Sequence, residues 1–431
     1  MELDKISNLP SGITENFFSY FSIKEAARTS VLSKDWRHRW TTLPFLVFDD
    51  KIDHLTEAIV SHVLLSHSGP IHTFKLSSRK YLFQFVCLSR IDSFRAANCL
   101  LNPPSTIKGF RMLKSLHIRR VTVTRNVLEE MIFCCPRLES IIICHLLGAT
   151  HLKIDAPNLR FLKVEGGLED VQLESARNLV DVSIDRKRGS TNSSKLLRFF
   201  FKLPRIERLT LGDSFLECAI DSLPEKLAKP CLCLNFLSIS IRLNNLEEIL
   251  TAMCLLRSAP ALQELKFLVR QEDRANAGGA ASWVNDNQNR AFTQLRIVKV
   301  IGLSGVKAEL DFLKFLLLSS PALQELEISF GREDVQVLDY FSWLHDNPNN
   351  GAFTQLRLVK VTGLSGNKSQ VDFIRFLLSS TSPMLERMTL QPASARVSWE
   401  LFKLLAEFKR NSVPAYLEFL NPSIPMRDFD D

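Results

Sequence analysis

The sequence predicts an α/β solenoid. A small helical N-terminal unit is followed by stacked strand-plus-helix repeats, giving a curved parallel sheet with helices on its convex side. Three observations carry this. A short aliphatic pattern recurs eleven times from Leu113 onward. Two blocks near the C-terminus, opening at Ser282 and Ser342, echo one another. The N-terminal stretch, up to Pro44, has helical periodicity and a different composition.

In that N-terminal stretch, Ser7-Asn8-Leu9-Pro10-Ser11-Gly12-Ile13 offers a helix start, with polar caps and a proline near the first turn. Ile13, Phe17, Phe18 and Phe21 follow at helical spacing. Lys24–Ser33 reads as a second helix with Ala26, Ala27 and Val31 inward. Asp35–Trp40 reads as a third, with Trp36 and Trp40 four apart on one face. Leu43-Pro44 ends the unit. So small a unit buries little by itself, and its surplus aromatics point to packing on a neighbour or another protein.

Between Asp50 and Leu113 the pattern is vague. His54, His62, His67 and His72 fall there at spacings unsuited to one helical face or to a metal, and read as incidental.

From Leu113 the pattern is Leu-x-x-Leu-x-Ile or a close variant. It begins at Leu113, Leu138, Leu159, Leu179, Ile206, Leu234, Leu262, Leu295, Leu323, Leu356 and Leu385. The spacing of these starts is irregular, closest between Leu138 and Leu179. The first apolar residue closes a turn, and the next two point inward from a short strand of period two. Stretches such as Leu246–Leu256 and Leu310–Leu318 supply helices between strands. One such unit cannot bury its apolar face alone, so the units stack.

The duplicated block runs Ser282-Trp283…Ala291-Phe292-Thr293-Gln294-Leu295-Arg296 and again Ser342-Trp343…Ala352-Phe353-Thr354-Gln355-Leu356-Arg357. Both copies continue through Val-Lys-Val-x-Gly-Leu-Ser-Gly into an apolar helix. Trp283 and Trp343 read as packing residues. Loops 270–291 and 330–352 are long for a compact repeat. Gly302-Leu-Ser-Gly305 and Gly363-Leu-Ser-Gly366 follow a strand and precede a helix, the setting of an anion cradle. Neither completes a P-loop, so a glycine-dependent turn is the preferred reading.

Composition narrows the function classes. The chain has 431 residues, 45% hydrophobic and 23% charged, as a folded globular protein does. No apolar run reaches the ~18 residues of a membrane span, and Met1–Lys5 lacks a signal-peptide core, so an intracellular site, cytoplasm or nucleus, is expected. The nine Cys form no zinc spacing and read as small buried hydrophobes. A net charge of +7 is a mild bias, and nucleic-acid binding is not favoured. No catalytic, metal or cofactor motif stands out.

Ile6-Ser7-Asn8-Leu9-Pro10, then Ala27-Arg28-Thr29-Ser30-Val31-Leu32-Ser33-Lys34-Asp35-Trp36-Arg37-His38-Arg39-Trp40, then Leu43-Pro44, resembles a plant-type F-box. The repeats resemble those of F-box leucine-rich-repeat proteins, and the second block, near 353–420, resembles their FBD element. The resemblance implies an F-box over 3–48, a connecting region and first cap over 49–111, and leucine-rich repeats over 112–291. It implies duplicated FBD-like blocks over 292–420 and a tail over 421–431.

It further implies a substrate-recognition subunit of a Skp–cullin–F-box (SCF) ubiquitin ligase. The chain would be non-catalytic and free of cofactor and metal. It would contact a Skp-type adaptor through Leu9, Pro10, Ile13, Phe17, Leu32 and Trp36, reach a cullin through that adaptor, and hold a target protein on the solenoid. Ser11, Gly12 and Thr14 depart from the family pattern, and early-helix Gly costs roughly 0.5–1 kcal/mol relative to Ala. A leucine-rich-repeat scaffold without ligase function is therefore the alternative.

Overall fold

The computed structural model describes residues 21–32, 34, 36–49, 52, 56–77, 82–83, 91–101, 110–186, 203–213, 215–216, 226–227, 229–270, 292–331, 355–380, 384–394, 397 and 416–421. The chain forms two compact units, Met1–Ile206 and Glu207–Asp431.

The first described element of unit 1 is helix α1 (Ile23–Arg28), fixed by a reciprocal cap. The Glu25 backbone N–H donates to Ser22 Oγ at 3.3 Å, and the Ser22 N–H donates to Glu25 Oε2 at 2.8 Å. A 3₁₀ turn over Thr29–Val31 follows. The expected helix over Lys24–Ser33 is thus shorter than its periodicity. Ala26 is buried as expected, but Ala27 and Val31 are exposed, because the tighter turn swings Val31 off the Ile23–Ala26 face. Trp36–His38 is a turn and Arg39–Thr42 a 3₁₀ helix. Trp36 and Trp40 therefore do not share a helix face: Trp36 is buried and Trp40 half-buried.

The remaining described elements of unit 1 are β1 (Phe45–Phe48), α2 (Glu57–Ser66), β2 (Ile71–Ser77), β3 (Leu82–Phe83), β4 (Ile91–Ala97), β5 (Leu100–Leu101), β6 (Ser115–Arg119), α3 (Arg125–Phe133), β7 (Ser140–Cys144), β8 (His151–Ile154), β9 (Phe161–Gly166), β10 (Asp170–Leu173) and β11 (Asp181–Arg186). Strands β1, β2, β4, β6, β7, β9 and β11 follow one another in a parallel sheet. Strands β8 and β10 pair separately, as do β3 and β5.

Unit 2 contains β12 (Arg208–Leu211), β13 (Phe236–Ile241), α4 (Leu246–Arg257), β14 (Glu264–Val269), β15 (Ile297–Leu303), α5 (Lys307–Leu318), β16 (Glu325–Phe330), β17 (Leu358–Leu364), α6 (Lys368–Ser380), β18 (Arg387–Pro392) and β19 (Tyr416–Phe419). Its strands pair in parallel, each with the next in sequence.

All eleven expected repeats carry a strand, and their three inward aliphatic or aromatic positions are each at most 5% exposed. The first position closes a turn, as its spacing required. The N–H of Leu138 donates to Cys135 O at 3.1 Å, that of Leu159 to Ala156 O at 3.1 Å, and that of Leu323 to Ser320 O at 3.2 Å. In these turns Pro136, Pro157 and Pro321 hold the second position, where the φ that the ring imposes already suits the bend. The residue after the turn leucine links neighbours: Lys114 O accepts both the Glu139 and Ser140 N–H.

Three further repeats lie at and beyond the end of the helical unit, two of them in the stretch that reads as vague. They are Leu43-x-x-Leu46-x-Phe48, Ile71-x-x-Phe74-x-Leu76 and Ile91-x-x-Phe94-x-Ala96, with every inward residue buried. Phe48, Phe74 and Phe94 succeed one another at ring-centroid distances of 5.5 and 5.7 Å. Leu43 closes its own turn on Trp40 O at 3.4 Å, so the Leu-Pro that ends the helical unit also begins the sheet.

Unit length decides what returns the chain. Units of 25 to 29 residues, from Leu113 to Leu138, Leu234 to Leu262, Leu295 to Leu323 and Leu356 to Leu385, hold α3, α4, α5 and α6. Two of the shortest, from Leu138 to Leu159 and from Leu159 to Leu179, return through β8 and β10 instead of the expected helices. A helix rises ~1.5 Å per residue against ~3.3 Å for a strand, so a shorter chain covers the distance when extended. The helices that do form pack their apolar stripe against the inward side chains: Phe312 of α5 meets Phe267 of β14 edge-on, centroids 5.5 Å apart.

The turns entering these helices are closed by a buried acceptor. Glu309 Oε2 accepts the N–H of Ser304 and of Gly305, each at 2.8 Å, and Oε1 accepts Ser304 Oγ–H at 3.0 Å. In the duplicate block Gln370 Oε1 does this for Ser365. In the preceding helical unit the fully buried Glu248 accepts the Arg242 N–H at 2.7 Å and the Arg270 Nη2–H at 3.0 Å. Burial pushes the Glu309 carboxyl above its ordinary value of 4.5, against the opposing hydrogen bonds from Gly305 and Ser304. Gly302 and Gly363 sit where the strand bulges, at φ +93° and +72°.

A Cβ at Gly302 would stand 2.7 Å from Val269 O. Gly302→Ala is expected to cost about 1–3 kcal/mol, read as a lower urea midpoint; an unchanged midpoint contradicts this account. For Glu309, the raised folded value means the folded chain binds its proton more tightly than the unfolded chain. Its contribution is present below about pH 4.5 and is lost as pH rises through the folded value. Glu309→Gln, copying Gln370, should therefore raise the Tm at pH 7, with the gap to wild type closing toward pH 4. A gap that widens on acidification contradicts it.

Candidate protein-interaction surfaces

Of the residues expected to meet an adaptor, Leu9, Pro10, Ile13 and Phe17 lie outside the described residues. Leu32 and Trp36 are described, and they differ. Leu32 is 63% exposed and its neighbour Val31 87%, an apolar pair presented to solvent by the 3₁₀ turn after α1. Trp36 is 2% exposed and packs inside unit 1, with the Arg39 guanidinium carbon 5.4 Å from its ring centroid. Helical periodicity continued through Ser33 places Val31 inward, and nothing in the local sequence announces the switch to a 3₁₀ turn.

The second surface is the outward row of the parallel strands. In unit 1, ladder partners bring Lys75, Arg95 and His117 side by side, with Ile142, Lys163 and Ser183 continuing the row. Arg119 stands on β6 one step further along the same face than His117. Burial, together with the nearby charges of Arg95, Arg119 and Lys163, holds the His117 imidazole below its usual value. At the turn end of the same repeats, Lys114, Arg137, Arg160 and Arg205 line an open groove with Glu139 and two asparagines. Asn158 and Asn178 are committed to the turns, donating to Pro136 O at 2.8 Å and Pro157 O at 2.9 Å.

In unit 2 the corresponding row is charge-paired. Lys299 Nζ lies 2.8 Å from Glu264 Oε1, and Lys360 Nζ 2.7 Å from Glu327 Oε1. The Lys299 amine is held above its usual value first by the hydrogen bond to Glu264.

The two Gly-Leu-Ser-Gly turns point their amides inward. The Ser304 and Gly305 N–H groups serve Glu309, and the Ser365 N–H serves Gln370, so the anion in the first cradle is the chain's own carboxylate. His67 Nε2 sits 2.8 Å from Leu43 O, and His72 Nδ1 3.0 Å from Asp92 Oδ2. His54, Trp283 and Trp343 lie outside the described residues.

Cys99, Cys135, Cys144, Cys231 and Cys254 are buried, whereas Cys233 is exposed. Burial pushes the Cys99 and Cys135 thiols up to about 12, far from the thiolate that nucleophilic or metal chemistry uses. Among the described residues no group of three or more His, Cys, Asp or Glu side chains is arranged to hold a metal. No described helix is long and apolar enough to cross a membrane.

Residues 6–48 match the F-box domain family. Residues 61–267 match the family described as FBD-associated F-box protein At5g56370, LRR repeats. Among relatives, F-box/FBD/LRR-repeat protein At1g13570 of Arabidopsis thaliana is 30% identical over 384 residues, which cover 77% of this chain and 92% of that protein. F-box/LRR-repeat protein At3g26922 of Arabidopsis thaliana is 25% identical over 289 residues, 50% of this chain and 91% of that protein. FBD-associated F-box protein At5g22730 of the same plant is 28% identical over 183 residues, 40% of this chain and 36% of that protein. With an N-terminal F-box leading into parallel-stranded leucine-rich repeats, the chain belongs to the F-box/FBD/LRR-repeat family of plant proteins.

Proposed function

We propose that this chain is the substrate-recognition subunit of an SCF ubiquitin ligase. The F-box binds a Skp-type adaptor and through it a cullin, and the leucine-rich repeats hold a target protein. The observation that carries the reading is the pairing of an F-box match over 6–48 with a repeat array whose outward strand rows are open.

The chain acts by proximity. Holding a target beside transfer machinery on other subunits replaces an encounter in solution with an intramolecular one at high effective concentration. The receptor itself needs no nucleophile and no cofactor. The adaptor contacts proposed are Leu9, Pro10, Ile13, Phe17 and Leu32, with Val31 beside Leu32, and Trp36 acting from within the core of the unit. Burying an exposed leucine in an interface contributes about 1.5–3 kcal/mol, or roughly tenfold to a hundredfold in affinity.

Copurification with a Skp-type adaptor tests this. Wild type should form a stable complex, and Leu9→Ala/Pro10→Ala should lose it while the melting curve holds. Leu32→Ala should weaken the complex roughly tenfold or more without changing the melting curve. Trp36→Ala should instead destabilise the unit by about 3–5 kcal/mol. A folded wild type that binds no adaptor would reject the ligase role in favour of a binding scaffold.

A further inference from the structure

Lys75, Arg95 and Arg119 project from β2, β4 and β6 on the outward face of unit 1, and all three are exposed. None makes an ion pair with another described residue. That is unlike unit 2, where two of the three lysines along the equivalent row, Lys299 and Lys360, are bridged by carboxylates on adjacent strands. His117 lies beside Arg95 and Arg119, whose charges add to burial in lowering its imidazole. The hydroxyl residues Thr73, Ser93 and Ser115 form the adjoining row and add neutral donors.

The patch is bounded. Lys163 is taken by Glu165 at 3.3 Å, and β11 carries Asp181 and Asp185. The unpaired cations therefore cover three strands, about 10 Å at ~4.8 Å per strand. That width suits two carboxylates of an extended segment, whose alternate side chains are about 7 Å apart. A phosphate backbone running further along the sheet meets the acidic strands.

We propose that the outward face of β2, β4 and β6 docks a carboxylate-rich segment of the target polypeptide, with Lys75, Arg95 and Arg119 as its ion-pairing groups. This rests on the receptor role proposed above.

The test uses the full chain and a fluorescent octapeptide of glutamate, with an octalysine peptide and a thymidine octanucleotide as comparisons. The glutamate peptide should bind, more weakly as salt rises, and the lysine peptide should not. Lys75→Glu/Arg95→Glu should raise the peptide Kd about tenfold or more. Lys75→Gln/Arg95→Gln should raise it in the same direction, which guards against misfolding of the reversal. Lys299→Glu should leave the Kd unchanged.

No binding of the glutamate peptide, an equal loss in Lys299→Glu, or oligonucleotide binding as tight as the peptide's would overturn the proposal. Adaptor copurification of the same variants reads the other role separately. Variants that keep the adaptor and lose the peptide support the docking face. A chain that binds the peptide but never the adaptor keeps the docking face and refutes the receptor role.

Discussion

Everything in this structure depends on one small constraint: an apolar residue that closes a turn and, in the same stroke, starts an inward-facing strand. Leu138, Leu159 and Leu323 each donate their N–H across a turn and bury their side chains in the core. Three residues further on, and again two after that, the chain places another apolar group under the sheet. Because the turn fixes where the strand begins, neighbouring strands meet in register, and every outward residue acquires a defined neighbour. The rows of charge in both units follow from that register.

The solenoid is legible because this constraint is written in side-chain volume. Aliphatic residues at fixed offsets mark eleven strands without reference to anything outside the chain. The repeats at Leu43, Ile71 and Ile91 escape that pattern because phenylalanine and alanine fill inward positions there. The core accommodates them by passing aromatic rings from Phe48 to Phe74 to Phe94. A search for apolar character at those offsets, instead of leucine and isoleucine, finds all three. The extended returns through β8 and β10 are also legible in principle, from the close spacing of Leu138, Leu159 and Leu179. The helical reading of Asp35–Trp40 fails for a different reason. Two tryptophans four apart fit a helix, but a turn and a 3₁₀ segment place them just as well, and pattern alone cannot separate these. Of the residues expected to meet an adaptor, Leu32 stands exposed, while Trp36 is a core residue whose burial no local spacing announces.

The duplicated blocks show how the fold tolerates chemical change. Glu309 and Gln370 occupy matching places and accept matching backbone N–H groups, though one is ionisable and the other is not. What the turn needs is an oxygen aimed at Ser304 or Ser365. The same geometry explains why Gly-Leu-Ser-Gly is structural: its amides are already satisfied from within. Function in such a chain sits on surfaces. The exposed Val31–Leu32 pair follows α1 at one end of unit 1, and the strand rows offer the other kind of contact. Neither surface needs a reactive group, consistent with a receptor that works by holding partners together.

The most direct measurement of that account is gel filtration of the full-length chain mixed with a Skp-type adaptor and a cullin, with each omitted in turn. The account predicts a single stoichiometric three-component peak in which the cullin co-elutes with this chain only when the adaptor is present. An adaptor-bound chain that excludes the cullin, or a cullin that binds without the adaptor, would contradict it.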